Sequence, residues 1–288
     1  MTMGTKLHSI MLPVRGDGKG DNVFAHAAAL AVAFGAHVQV LHCRLSPQDL
    51  MPYGVAVPGF LRKQIEEATA ANAAVEEELL LKEFQDLSLK LGLPVAEPQA
   101  GKATASFVDY VGKQVEAVRH YGRLADLICV PSPDKSRNLG VNTLKSAIFS
   151  SGRPVMLCPE RDTVPDRIGS HVAIGWNGSL EATRALAMAM PLIEAADQVT
   201  LMTTGDVEHA ATAEECVKYL ALRGVSAVVK EFSTKKSVGQ ALLSQCTEVG
   251  ADLLIMGAYH DSFERETIFG GNSQAVVDNA TIPVVLVH

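Results

Sequence analysis

The chain repeats itself, and this repeat constrains the fold more than any other feature of the sequence. The segment LADLICV at 124–130 is matched by GADLLIM at 250–256, and RPVMLCP at 153–159 by IPVVLVH at 282–288. The offsets, 250 − 124 = 126 and 282 − 153 = 129, are nearly equal. Self-similarity at a fixed offset indicates one structural unit present twice. The 288 residues therefore predict two domains of one fold.

The amino-terminal parts of the two copies also match, but at a larger offset. HSIMLPVRGD at 8–17 corresponds to HVAIGWNGS at 171–179, and HVQVLHC at 37–43 to QVTLMTT at 198–204. These offsets are 171 − 8 = 163 and 198 − 37 = 161, so the first copy has an insertion after its second strand.

The domain boundaries follow from these offsets. We predict a first domain over 1–160 with an insertion at about 44–80, and a second domain over 170–288. Between them, 161–169 is charged and interrupted by Pro165, which is typical of an exposed linker.

Short runs rich in Val, Ile and Leu alternate with longer amphipathic stretches in both halves. The runs predict strands near 8–14, 37–43, 94–98, 126–131, 154–158, 171–176, 198–203, 225–232, 251–256 and 283–287. The stretches between them predict helices near 22–34, 60–91, 104–121, 141–151, 179–194, 207–223, 237–249 and 271–280. This alternation predicts the α/β class: two tandem doubly wound domains, each a five-stranded, mainly parallel sheet flanked by helices.

Composition and charge exclude several other classes of protein. The chain is 48% hydrophobic with 25 basic and 32 acidic residues, and the excess of acid lies wholly in 161–288. This balance disfavours a nucleic-acid binder, which needs clustered Lys and Arg. Neither a membrane-spanning stretch nor a signal peptide is predicted, so we expect a cytoplasmic protein. The five cysteines form no CxxC pair, and we expect buried thiols in a reducing compartment, the alternative being a reactive thiol among them.

Candidate binding residues lie in the loops after strands one and four of the second half. In open α/β sheets ligands bind outside the carboxyl ends of the strands, where the strand order reverses. Glycines before a helix allow backbone amides to approach a phosphate, and Arg265 lies in the same stretch. A plain turn capped by Ser179 is the alternative explanation of the first loop. The candidates are Trp176, Asn177, Gly178, Gly257, Ala258, Tyr259, His260, Arg265, Gly270, Gly271, Asn272 and Ser273.

At these residues the chain resembles the universal stress protein family. Nucleotide-binding members have a Gly, two residues, a second Gly, nine residues, a third Gly and then Ser or Thr. Here Gly257 and Gly270 keep that spacing, whereas His260 replaces the second glycine and Gly271 the Ser or Thr. The closing IPVVLVH is similar to the family's last strand, and the tandem arrangement resembles its two-domain members.

The resemblance implies a Rossmann-like fold of the adenine nucleotide alpha hydrolase type and a cytoplasmic stress-response protein. It implies an adenine nucleotide, ATP or AMP, with or without Mg²⁺, bound in the second domain. Family members that bind ATP have an Asp after strand one; the matching residues are Asn177 and Arg15. In the first domain Pro131 replaces the first glycine and removes an amide donor, so we expect that domain to have lost the site.

The function therefore has two alternatives. The first is a sensor or regulator that binds the nucleotide, and the second is a tandem scaffold that acts through protein contacts or another small ligand. Motifs of known catalytic sites are lacking, so an enzyme is not predicted, although the resemblance allows weak ATPase activity. The resemblance also implies that the two last strands pair within one chain as a pseudo-dimer. A homodimer through the long predicted helix at 60–91 is a further alternative to a solvated helix face.

Overall fold

The computed structural model describes residues 6–14, 20–44, 46, 58–137, 139–205, 210–235, 237–258 and 271–288, with only the backbone of 62 and 64–76. Its elements are strands β1 to β10 and helices α1 to α9. The strands are β1 Ser9–Val14, β2 His37–Arg44, β3 Thr104–Val111, β4 Leu127–Pro131, β5 Val155–Cys158, β6 His171–Gly175, β7 Gln198–Thr203, β8 Ala227–Glu231, β9 Leu253–Gly257 and β10 Val284–Val287. The helices are α1 Gly20–Phe34, α2 Gly59–Lys90, α3 Gln114–Gly122, α4 Val141–Ser151, α5 Leu180–Met188, α6 Met190–Glu194, α7 Ala213–Ala221, α8 Val238–Val249 and α9 Gly271–Asn279.

The strands form a 10-stranded sheet in the order β3-β2-β1-β4-β5-β10-β9-β6-β7-β8. Within each half the described pairs are parallel, and both halves have the order 3-2-1-4-5. The predicted α/β fold of two tandem, doubly wound, mainly parallel units is confirmed. In each half the chain leaves the first strand in one direction and returns on its other side, so the switch points lie between β1 and β4 and between β6 and β9.

The two halves are joined through their last strands. β5 and β10 pair antiparallel, with Val284 opposite Leu157 and Leu286 opposite Val155. All residues of both strands are buried. The predicted pairing of the two copies within one chain is therefore present, and it covers two apolar strands that would otherwise be open edges.

The third strand of the first half is not where the sequence predicted it. We predicted a strand at 94–98 and a helix at 104–121, whereas β3 is Thr104–Val111 and the helix α3 begins only at Gln114. The segment TASFVDYV is rich in β-branched and aromatic residues, which favour a strand. From 94–98, Val95 makes an isolated parallel bridge with Ala105.

Two predicted helices of the second half are shorter than expected. The helix predicted at 179–194 is divided into α5 and α6, with Ala189 between them and Pro191 in the first turn of α6. Proline suits that position because its missing N–H is not needed in a first turn. The helix predicted at 207–223 is described from Ala213 to Ala221.

The structural repeat includes a matched pair of aspartates just before the fourth strands. The Asp126 carboxylate accepts backbone hydrogen bonds from His8 (2.8 Å) and Ser9 (3.0 Å). The Asp252 carboxylate accepts from the backbone of Ser170 and His171, both at 3.0 Å. Each bond set fastens the start of the first strand to the fourth, which fixes the strand neighbours on either side of each switch point.

The insertion lies in the connection between β2 and β3. There α2 has 32 residues, whereas the matching helix α7 of the second half has 9. In the part of α2 whose side chains are described, Phe84 and Ser88 are buried. None of the helices described here is long and apolar enough to cross a membrane.

Candidate functional site

A cavity of about 290 Å³ lies at the switch point of the second half. It opens between the carboxyl ends of β6 and β9 and the starts of α5 and α9. Seven of the predicted site residues line it together, although they come from three separate stretches of the chain: Trp176, Asn177, Gly257, Ala258, Gly271, Asn272 and Ser273.

The loop after β6 is a turn stabilised by its own side chains. The backbone N–H of Ser179 donates to Asn177 Oδ1 (3.2 Å), and Gly178 has a φ of 69°, which glycine adopts without strain. Ser179 then caps α5, its Oγ accepting from Ala182 N at 3.1 Å. The turn-and-cap explanation of this loop therefore describes its local structure, and Gly178 is not among the residues that line the cavity.

Gly257 allows β9 and α5 to approach closely. A Cβ at this position would lie 2.5 Å from both the N of Ala182 and the carbonyl carbon of Glu181. A real Cβ atom essentially never comes this close to an atom to which it is not bonded. The backbone here therefore accepts only glycine unless it shifts. The glycine that the sequence selected for ligand access is thus also required by helix packing.

The start of α9 forms the opposite wall of the cavity. Ser273 is buried, and Asn272 Oδ1 accepts a hydrogen bond from Ser237 Oγ at 3.3 Å. Gly239 of α8 brings the two helices together, because a Cβ there would lie 2.2 Å from the Asn272 carbonyl oxygen. The first N–H groups of α9 have no partners within the helix, so this end carries partial positive charge.

Trp176 forms a fixed wall of the cavity. Its side chain is buried, and its indole N–H donates to the Ala211 carbonyl at 2.9 Å. Its backbone N–H donates to Met202 O at 2.8 Å. Since its only side-chain donor is already engaged, Trp176 offers a ligand its apolar surface alone.

The remaining predicted site residues, Tyr259, His260, Arg265 and Gly270, lie outside the described residues. Arg15, which matches Asn177 in the sequence repeat, also lies outside the described residues.

The site also contains a carboxylate that the sequence patterns did not predict. Glu181, in the first turn of α5, is buried and lines the cavity. An acidic side chain in a first helical turn after strand one was visible in the sequence, but its burial was not. The apolar wall was not predicted either, because its members are spread over β7, the loop after β8, α8 and β9: Met202, Phe232, Val238, Leu242 and Met256.

The matching loop of the first half is built differently. Pro131 ends β4 at the position of Gly257, and Ser132 N donates to Cys158 O (3.1 Å). Asp134 then closes a tight turn: its carboxylate accepts from the backbone and Oγ of Ser136 and from Arg137. These bonds hold the pKa of Asp134 well below its usual range.

The thiols are mostly buried, as expected, with Cys43 half-buried. Burial raises the pKa of Cys43 and Cys246 to about 12 and that of Cys216 to about 11. Thiols of such high pKa are protonated near neutral pH, which disfavours nucleophilic chemistry.

Fold and site together define a class: a tandem α/β protein with a ligand-sized cavity at a switch point. The model of the universal stress protein family matches residues 170–288. The second half is thus a universal stress protein domain, and the first half repeats its fold. No curated protein matches the chain.

Solved structures support the same fold over the whole length. A universal stress protein from Archaeoglobus fulgidus superposes with a TM-score of 0.72 at 17% identity, covering 98% of this chain and 96% of that one. A functionally unknown protein from Pseudomonas aeruginosa superposes with a TM-score of 0.56 at 12% identity, covering 98% of this chain and 92% of that one. Both cover the two halves, so the tandem arrangement itself occurs in similar proteins.

Proposed function

We propose that the cavity of the second half binds an adenine nucleotide, ATP or AMP, and that the protein is a cytoplasmic stress-response sensor or regulator. The observation that carries this proposal is the position of the cavity, at the switch point and at the amino end of α9. The family match over the same half supports it.

The shape of the cavity suits the base and ribose. Its volume of about 290 Å³ lies at the lower end of the size range of ligand pockets. Met202, Phe232 and Leu242 offer an apolar wall for a flat base. The phosphates would extend toward Gly271, Asn272 and Ser273, where backbone N–H groups and the helix dipole favour anions.

Glu181 is a carboxylate residue of this site and can accept hydrogen bonds from a ribose. Family members that bind ATP are expected to place an Asp after strand one, and Asn177 lacks that charge. The Glu181 carboxylate lines the same cavity from the first turn of α5. Carboxylate oxygens accept several hydrogen bonds and so suit a pair of ribose hydroxyls.

Calorimetric titration with ATP, ADP and AMP tests the proposal. We expect saturable binding of at least one of these at micromolar to millimolar concentration. Absence of both heat and thermal shift at millimolar nucleotide would contradict it. Mass spectrometry of any small molecule that co-purifies with the chain would identify the natural ligand.

The variant Glu181→Gln tests the ribose contact. We expect about tenfold weaker binding of adenosine as well as of ATP, since one charge-assisted hydrogen bond is lost. If Glu181 instead only repels the phosphates, the variant would bind ATP more tightly and adenosine unchanged. Glu214→Gln is the matched control, because Glu214 is exposed in the first turn of α7 and does not line the cavity.

A further inference from the structure

A second cavity, of about 340 Å³, lies in the first half and does not correspond to the one just described. It is enclosed by the carboxyl ends of β1 and β2, the middle of β3, the start of α1 and the second half of α2. The second-half cavity lies instead beside α8 and α9. The insertion helix therefore helps to form a compartment that the repeat itself does not provide.

One difference between the two halves affects the volume of this cavity: the size of the side chain at the end of the first strand. Ile10 pairs with Leu127, and Val172 pairs with Leu253, which matches Leu127 in the repeat. Ile10 therefore matches Val172, and four residues further along the chain Val14 matches Trp176. The Trp176 indole fills its side of the second half and donates to a backbone carbonyl near α7. Val14 is much smaller, and in the first half the cavity lies against it.

Aromatic rings form one wall of this cavity. Phe24 and Phe84 stack with ring centroids 5.8 Å apart, and Phe84 and Phe107 lie 5.5 Å apart. Phe107 is followed by the His42 ring at 6.1 Å, nearly parallel at 18°. Such a row of aromatic rings offers favourable contacts to another aromatic ring.

His42 brings a buried hydrogen-bonding group to this wall. Its side chain is only 7% exposed, and its Nδ1 lies 2.9 Å from Asp109 Oδ1. The Asp109 carboxylate also accepts from Arg44 Nε and can only accept, so Nδ1 carries the proton in the neutral ring. Nε2 is then an acceptor, and it makes no hydrogen bond to the described residues.

The rim of the cavity is acidic. Asp21 in the first turn of α1 and Glu83 of α2 are both exposed and line it. Neither Lys nor Arg is found among the described lining residues. The polar side chains among the described lining residues include two carboxylates and an imidazole nitrogen that accepts, all of which favour a ligand with hydrogen-bond donors.

We propose that this cavity binds a small aromatic amine. Its protonated amino group lies at the rim with Asp21 and Glu83, and its ring stacks in the wall of Phe84 and Phe107. A hydroxyl on that ring donates to His42 Nε2. The half of the chain that lacks the glycine loop thus has a ligand site of opposite charge preference.

Calorimetry of the full chain with tyramine tests the proposal. We expect submillimolar binding of tyramine, at least tenfold weaker binding of 3-(4-hydroxyphenyl)propionate, in which a carboxylate replaces the amine, and intermediate binding of phenethylamine, which lacks the hydroxyl. Equal or tighter binding of the carboxylate, or no heat with tyramine at about 10 mM, would overturn it.

Four variants, one of them a control, localise the site. Val14→Trp, which copies the second half, should abolish tyramine binding, whereas Val32→Trp at an exposed position of α1 should leave it unchanged. His42→Asn keeps a donor toward Asp109 and removes Nε2, so it should weaken tyramine about tenfold and phenethylamine little. Thermal unfolding checks that each variant is folded; should Val14→Trp fail to fold, Glu83→Gln, at an exposed position, replaces it and should weaken both amines. Tyramine binding that persists in folded Val14→Trp, or in Glu83→Gln, would overturn the assignment.

Discussion

The two halves share one fold but line their cavities with different sets of helices, α5, α8 and α9 in the second half and α1 and α2 in the first. In the second half the cavity lies at the switch point, between Gly257 and the start of α9. In the first half Pro131 stands at the position of Gly257, and the described cavity lies instead beneath the insertion helix α2. A repeated fold therefore does not imply a repeated site, because a few side chains and one connection decide where space remains.

The largest effect is expected from making the second half resemble the first at Trp176. The variant Trp176→Val removes a buried ring and its hydrogen bond to Ala211, which should lower the free energy of unfolding by about 3 kcal/mol. Trp176→Phe, which keeps a ring but lacks the N–H, should lose about half as much. Urea unfolding measures both. A loss below about 1 kcal/mol for Trp176→Val would show that this indole does not support the second half.

A smaller loss of unfolding free energy is expected at Gly257, where the first half has Pro131 instead of glycine. Gly257→Val places side-chain atoms against the backbone of Glu181 and Ala182, so we expect a loss of about 2 kcal/mol in urea unfolding. Gly271→Ala is the control, because a Cβ there meets no atom of the described residues within 4 Å. Equal stability of the two variants would contradict the close approach of β9 and α5.

Much of this comparison follows from the sequence. The pairing of the last strands was implied by the family resemblance. The repeat of apolar runs predicted the α/β fold, because parallel strands buried on both faces consist of short runs of Val, Ile and Leu. It failed at β3, where Thr104, Phe107 and Tyr110 favour a strand that the helical spacing concealed. Local patterns thus predicted elements well where composition and period agree.

The site was only partly predictable for a different reason. Gly257 and Gly271 could be selected because a glycine that follows a strand or precedes a helix can be read directly from the sequence. Glu181 could not, since its burial depends on how α5 lies against β9. The first-half cavity could not either, because it depends on the path of α2 over β2 and β3.

Replacing one glutamate of either cavity by glutamine should change the affinity for the ligand of that cavity about tenfold. Glu181→Gln should weaken adenosine and leave tyramine unchanged, while Glu83→Gln should weaken tyramine and leave adenosine unchanged. Parallel calorimetric titrations of both ligands give the four values. A variant that weakens both ligands equally would show that the cavities are not independent.

The smallest effect concerns pH and a buried histidine of the first half. His26 is fully buried, and burial lowers its pKa from the usual 6.5. Below pH 6.5 the unfolded chain therefore binds a proton that the folded chain does not. Stability from this group is fully present above pH 6.5 and is lost as the pH falls through the lowered pKa, at most about 1.4 kcal/mol per pH unit.

The variant His26→Leu isolates this contribution. Its stability should decline less steeply than that of the natural chain between pH 6.5 and pH 5, measured by urea unfolding at each pH. His120→Gln, at an exposed position, should leave the slope as it is. An unchanged slope in His26→Leu would contradict the assignment of a neutral, buried imidazole.

Hydrogen exchange of the full chain with and without saturating ATP, read by mass spectrometry, tests directly whether the nucleotide binds in the second half. We expect slower exchange in the second half, in peptides that contain 177–182, 257–258 and 271–273, and no change in peptides of β1, β2 and α2. Protection confined to the first half, or spread equally over both, would contradict the claim that the nucleotide site survives in the second half alone.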